Sequence, residues 1–112
     1  MRIAIPLAEN KLCLHFGHCE TFALLDTDPS AKKITGRIDV TPPPHEPGLL
    51  PKWLAAKGVD VIIAGGMGQR AQSIFSEEHI AVLVGAPVDS PEVLANAYLA
   101  GTLLGGENTC DH

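Results

Sequence analysis

The sequence predicts a single α/β domain with helices on the faces of a mixed β-sheet, and three observations indicate this. The chain has 112 residues, which is the size of one domain with one core. Residues 59–64 form a near-continuous β-branched run, which is typical of a strand buried on both faces. A helical pattern lies between this run, which we number strand 4, and the apolar residues 80–84, which we number strand 5. The pattern predicts a right-handed crossover between two parallel strands.

The amino-terminal half predicts an antiparallel meander. Residues 2–7 are mostly apolar, with Ile3 and Ile5 at period two, and form strand 1. Residues 21–26 form strand 2, and residues 33–41 alternate as expected for strand 3 at an edge with one solvated face. The short turn between strands 2 and 3 makes them antiparallel.

Three helices are predicted after the meander. Helix 1 covers residues 49–57, helix 2 covers residues 69–78, and helix 3 begins at one of two registers. In one register Asp89 forms a capping box with Glu92, and in the other Ser90 precedes a proline at the first helical position. The side chains expected to face the core are Leu50, Trp53, Leu54, Ala71, Ile74, Phe75, Val93, Leu94, Ala97 and Tyr98.

The simplest sheet places strand 1 beside strand 4, which gives five strands in the order 3-2-1-4-5. Strands 1, 4 and 5 then run the same way, so the loops after them emerge at one edge of the sheet. Open α/β sheets bind ligands at such an edge. We expect three segments to converge there: residues 12–20, 65–68 and 85–89.

The first of these segments concentrates thiol and imidazole groups. Two of the three cysteines and two of the five histidines lie in it: Cys13, Cys19, His15 and His18. Thiolate and imidazole hold soft and borderline metals, so we predict a metal site here. The alternative is that some of these side chains pack inward and the others face solvent.

Two further metal-binding groups lie near the carboxyl terminus. Residues 1–104 are expected to form the domain, and residues 105–112 a flexible tail that carries Cys110 and His112. These two side chains could complete a four-ligand zinc site with Cys13 and Cys19, or capture metal from outside the fold. The alternative is a disordered end.

The turn between strand 4 and helix 2 is a second indication of a ligand site, independent of the cysteines and histidines. Its sequence is Gly65-Gly66-Met67-Gly68. A helix N-terminus offers unpaired N–H groups and partial positive charge, and glycines let an anion approach the backbone. Arg70 could add a full charge, and Met67 a soft contact. The pattern is neither a Walker A loop nor GxGxxG, so the alternative is a plain tight turn.

Composition argues against several functions. The formal net charge of −5 and the five aromatic residues (three Phe, one Trp and one Tyr) disfavour nucleic-acid binding. No run approaches the roughly 18 apolar residues of a membrane span, and the start is too short for a signal peptide, so we expect a cytoplasmic protein. Strand 1 carries no carboxylate, which disfavours a two-metal nuclease. Thiol chemistry at Cys19 would require His18 to lower its pKa.

Five blocks of the sequence form a recognisable combination: the strand-1 opening, the His15-Phe16-Gly17 loop, the strand containing Phe22, residues 58–68 and residues 80–82. Together they resemble the dinitrogenase iron–molybdenum cofactor biosynthesis family. The family includes carriers of nitrogenase cofactor assembly and the orange protein, which holds a molybdenum–copper–sulfide cluster. The resemblance covers residues 1–104 and implies a three-layer α/β/α ribonuclease-H-like fold with non-covalent cluster binding.

The residues and the resemblance together predict a carrier or scaffold for a molybdenum-, iron- or copper-containing metal–sulfur cluster, without enzymatic activity. Expected partners are the cluster and its donor and acceptor proteins, and the chain is expected to be a monomer or weak dimer. The alternative is a regulatory module that binds one zinc or iron ion. Candidate cofactor-binding residues are His15, Phe16, Gly17, Gly65, Gly66, Met67, Gly68 and Arg70; candidate metal ligands are Cys13, His15, His18, Cys19, Cys110 and His112.

Overall fold

A computed structural model describes residues 1–13, 19–43 and 48–103. These residues form one six-stranded mixed sheet and three helices. The strands are β1 (Arg2–Ala8), β2 (Lys11–Leu12), β3 (Thr21–Asp28), β4 (Lys33–Val40), β5 (Val61–Ile63) and β6 (Ala81–Leu83). The helices are α1 (Leu49–Ala56), α2 (Gln69–Glu77) and α3 (Pro91–Ala100), and none of them is long and apolar enough to cross a membrane.

The strands lie in the order β4-β3-β1-β5-β6, with β2 paired to the end of β1. Strands β1, β5 and β6 are parallel, whereas β3 and β4 are antiparallel to their neighbours. Predicted strands 1 to 5 correspond to β1, β3, β4, β5 and β6, so the predicted number of strands is wrong by one. The missing strand, β2, follows a turn in which Glu9 and Asn10 both have positive φ, and the sequence lacks the usual glycine signal for such a turn.

The sheet has a separate core on each face. Helices α1 and α2 cover the face that carries Ala4 and Ile62, and α3 covers the face that carries Ile3 and Ile5. This gives three layers, α/β/α. All three residues of β5 are buried, which confirms that this strand is covered on both faces.

Helix α3 begins in the register that starts with Ser90. The Ser90 hydroxyl accepts a hydrogen bond from the Val93 amide at 3.4 Å, and Pro91 is the first helical residue. The alternative capping box with Asp89 is therefore wrong, and Glu92 instead pairs with Arg37 of β4. The prediction for Val93 is also wrong: its side chain is 50% exposed, because this register turns Pro91, Leu94 and Ala95 inward.

A bulge divides β4 into two halves. Asp26 pairs with Gly36 but Thr27 pairs with Ile34, which leaves Thr35 without an opposite residue. The extra residue reverses the alternation of side chains, so Ile34 packs on the α3 side although Val40 packs on the α1/α2 side.

Arg37 ties the second half of β4 to its surroundings. Its guanidinium donates to Asp39 at 2.7 Å, to Asn10 in the turn before β2 at 3.1 Å, and to Glu92 of α3. The hydrogen bond from Arg37 to Glu92 holds the pKa of Glu92 below its ordinary value. The arginine therefore joins the sheet edge, a hairpin and a helix on one face of the molecule.

Candidate functional site

The three predicted loop segments are held together at the carboxyl ends of the parallel strands. The Leu12 amide donates to the Asp89 carbonyl at 3.0 Å, which joins the first segment to the third. The Gly85 amide donates to the Gly65 carbonyl at 3.0 Å, which joins the third segment to the glycine turn. Backbone hydrogen bonds thus join the described parts of all three segments.

Sheet register places Cys13 beside the start of the glycine turn. β3 pairs with β1 along one side, from Arg2 to Leu7, so β2 must use the side that β5 also uses. β2 therefore lies directly beyond the end of β5, where the chain enters the glycine turn. The Cys13 amide donates to the Pro6 carbonyl at 2.8 Å and continues this pairing.

Cys13 and Cys19 lie toward the same face of the sheet. Leu12 packs in the core on the α3 side, so the next residue, Cys13, is directed to the α1/α2 side. Cys13 is buried, and the half-buried Cys19 packs against the α1/α2 core, which also contains Met67. Both cysteines are thiols. Three sulfur-bearing residues therefore occupy one end of this core.

The environment of Cys19 favours the neutral thiol. Burial raises the pKa of Cys19 to about 12, and the neighbouring Cys13 contributes in the same direction. A nucleophilic thiolate requires the opposite shift. Thiol chemistry at Cys19 is therefore disfavoured by the residues that the structure describes, whereas a metal could still bind by displacing the proton.

Alkylation measures this shift directly. At pH 7.5 we expect iodoacetamide to modify Cys19 about 100-fold more slowly than in the unfolded chain, because the loss of thiolate exceeds the gain in thiolate nucleophilicity. The thiolate is disfavoured in the fold, so the alkylation rate of Cys19 should keep rising above pH 9, where the rate for an ordinary thiol levels off. Peptide mass spectrometry gives the rate, and protein in guanidinium chloride is the control. A plateau near the ordinary cysteine pKa would contradict the burial described here.

The glycine turn presents an uncapped helix N-terminus. Gly65, Gly66 and Met67 are buried, whereas Gly68 is exposed and is the N-cap residue of α2. No side chain of the described residues caps this helix, and a Cβ built on Gly68 would meet nothing within 4 Å. Among the described residues, the first amides of α2 therefore lack a side-chain cap, and the exposed Arg70 follows in the first turn.

Two side chains that the sequence analysis missed position the site. The Gln72 side-chain amide donates to the Met67 carbonyl at 2.9 Å and braces the glycine turn. Glu20 accepts a hydrogen bond from the Glu9 amide at 2.8 Å and connects the start of β3 to the turn after β1. Gln72 could have been suspected as a polar side chain one turn into helix 2, whereas no local pattern identifies Glu20.

Several candidate residues lie outside the described part of the chain: His15, Phe16, Gly17, His18, Cys110 and His112. Their roles stay predictions, as does the four-ligand zinc site. Within residues 1–13, 19–43 and 48–103, no three His, Cys, Asp or Glu side chains are grouped to hold a metal ion. A closed ion site would therefore need ligands from the other residues.

A family model described as dinitrogenase iron-molybdenum cofactor matches residues 1–101. The chain belongs to this family. The resemblance seen in the sequence is thereby confirmed, and membership in the dinitrogenase iron-molybdenum cofactor family indicates a role related to a metal cofactor. An uncharacterized protein of Methanocaldococcus jannaschii is 34% identical over 80 residues, which are 69% of this chain and 68% of that protein.

Solved structures share the fold of this member of the dinitrogenase iron-molybdenum cofactor family. The crystal structure of PH0822 is 26% identical, covers 94% of each chain and has a TM-score of 0.85. The apo orange protein from Desulfovibrio gigas is 19% identical, with 96% of this chain and 93% of that chain covered and a TM-score of 0.73. The second likeness concerns the fold alone.

Proposed function

We propose that this chain is a non-covalent carrier or scaffold for an anionic metal–sulfur cluster that contains molybdenum, iron or copper. The observation that carries the proposal is the meeting of sulfur-bearing residues with an uncapped helix N-terminus at one edge of the sheet. The ribonuclease-H-like class, a cytoplasmic location, the absence of catalysis, and donor and acceptor proteins as partners belong to the same proposal.

The donor set fits such a guest. Cys13, Cys19 and Met67 offer soft sulfur atoms on the α1/α2 side, and thiolate and thioether favour soft metals. The amides at the start of α2 and the Arg70 guanidinium suit the negative charge of a sulfide cluster. His15 and His18 belong to the proposed site through their place in the sequence between the two cysteines.

The neutral Cys19 thiol bears on how tightly the cluster is held. A thiol must lose its proton before it can bind metal, and burial makes that loss costly for Cys19. Binding through thiolates should therefore release protons and weaken as the pH falls. Reversible binding of this kind suits a protein that passes its cargo to an acceptor.

Anaerobic reconstitution tests the proposal. Protein incubated with tetrathiomolybdate and copper, or with iron and sulfide, should become coloured and keep the colour after desalting. His15→Ala and Cys19→Ala should each remove most of the colour. The control is His79→Ala. His79 lies between α2 and β6, at the amino end of that strand, whereas the proposed site lies at the carboxyl ends of the parallel strands.

Metal and acid-labile sulfide analysis of anaerobically purified protein separates the possible outcomes. Several metal atoms with sulfide support a cluster carrier. One zinc or iron ion without sulfide supports the single-ion module instead. Colour that survives in both loop variants would show that the cysteine and histidine loop is not the site.

A further inference from the structure

We propose that the second half of β4 is an interface at which two copies of this chain pair as antiparallel strands around a two-fold axis at Ile38. β4 is eight residues long and lies at the end of the sheet order, and among the described strands it pairs only with β3. The unused backbone groups of an edge strand form a template for another strand.

The two halves of β4 differ in how they are protected. Edge strands are usually blocked by lysine, proline or a bulge. Lys33 and the bulge at Thr35 protect the first half, whereas residues 36–40 contain none of these features. Any added strand is therefore expected to pair along residues 36–40.

An exposed apolar side chain lies at the middle of this unprotected half. Ile38 is 52% exposed, although Leu24, its neighbour on β3, is fully buried. The helices on this face thus leave Ile38 uncovered, although Val40 of the same strand packs against the α1/α2 core. A second copy would bury Ile38 against its own counterpart and remove this apolar surface from water.

The charges beside Ile38 are self-complementary in this register. Arg37 and Asp39 pair with Leu25 and Ala23, whose side chains belong to the α3-side core, so both charged residues lie on that face. When Ile38 faces Ile38 of the second copy, Arg37 faces Asp39 and Asp39 faces Arg37. The result is an alternating arrangement of four charges, since Arg37 and Asp39 already form an ion pair within each chain.

Other registers are less favourable. A shift of one residue places Ile38 opposite Arg37 or opposite Asp39, which sets an apolar side chain against a charged one. A shift also separates the two cross-strand charge pairs. The contact involves few residues, so it should bury less than the roughly 1,200 Å² typical of stable interfaces, and the dimer should be weak.

The dimer leaves the proposed cluster site free. The second copy would pair along the side of β4 that is turned away from β3, whereas the site lies at the ends of β1 and β5 and just before β3. The inference therefore does not depend on the proposed function. Loss of the dimer and loss of cluster binding can be measured independently on the same protein.

Sedimentation velocity on the full chain tests the interface, with reductant present so that cysteines cannot link two copies. Wild-type protein should shift from monomer toward dimer between about 10 μM and about 1 mM, as expected for weak association. Ile38→Lys should stay monomeric across this range because two lysines would meet at the axis. The matched control is Val93→Lys on α3, since Val93 is 50% exposed, and it should associate like the wild type.

Hydrogen exchange then locates the contact. At the higher concentration those amides of residues 36–40 that point away from β3 should gain protection, whereas the amides of β6, at the other end of the strand order, should not. A wild-type protein that is monomeric at about 1 mM, or an Ile38→Lys variant that associates normally, overturns the proposal. Protection confined to any surface other than β4 overturns it as well.

Discussion

Replacing Gly68 by aspartate should weaken cluster binding by about 30-fold and leave the fold slightly more stable. Gly68 is the N-cap residue of α2 with φ −63° and ψ 153°, a conformation that any residue adopts, and its Cβ would have open space. An aspartate there should cap the helix, which is worth a few tenths of a kcal/mol relative to glycine. The same carboxylate would repel an anionic guest.

The size of the loss follows from the added charge. One negative charge about 8 Å from another costs about 2 kcal/mol at an effective dielectric constant of about 20. That energy corresponds to about 30-fold in the dissociation constant. Titration of the cluster preparation that colours the wild-type protein, followed by absorbance, gives the dissociation constants, and thermal unfolding gives the stability.

Gly68→Asn is the matched control. Asparagine caps helices about as well as aspartate and has nearly the same shape, but it carries no charge. We therefore expect Gly68→Asn to be as stable as Gly68→Asp while binding the cluster more tightly. Equal binding by the two variants would indicate that the guest is uncharged or lies far from α2.

The parts of the fold that the sequence predicted well are those decided locally. The β-branched run around Ile62 is typical of a doubly covered strand, and a helix after Gly68 follows from the glycine turn and the apolar spacing. The convergence of the three loop segments also follows from strand direction, which two helical crossovers determine.

The parts that the sequence missed depend on partners distant in the chain. Thr35 forms a bulge only because β3 pairs on both sides of it. This bulge reverses the alternation that would have placed Ile34 on the same face as Val40. Glu92 suits a capping box, but Arg37 of β4 forms an ion pair with it instead. Gln72 and Glu20 have roles in the site for the same reason, because the backbone groups they contact are positioned by the tertiary fold.

Phe75→Ala, which removes the side chain that attaches α2 to the core, is the second substitution with a large expected effect. Phe75 is the one fully buried side chain of α2, and it packs in the α1/α2 core. Truncation of a buried phenylalanine typically costs about 3–5 kcal/mol, which is a large share of the stability of a domain of this size. Chemical denaturation should show this loss, and Phe75→Leu, which keeps most of the apolar contact, should lose less.

Phe75→Ala should also impair the site beyond its effect on the amount of folded protein. With its one buried anchor removed, α2 should open more often than the rest of the fold, so hydrogen exchange should speed up in α2 first. Cluster binding per folded molecule should fall as α2 opens more often, because the uncapped amides belong to this helix.

Leu94→Ala separates local from global loss. Leu94 is buried in α3 on the opposite face of the sheet, and its truncation should cost about 2–5 kcal/mol. At matched folded fractions, Leu94→Ala should preserve both the protection of α2 and cluster binding. If the two variants lose binding equally, the position of α2 does not control the site, and the sulfur-bearing residues alone must hold the guest.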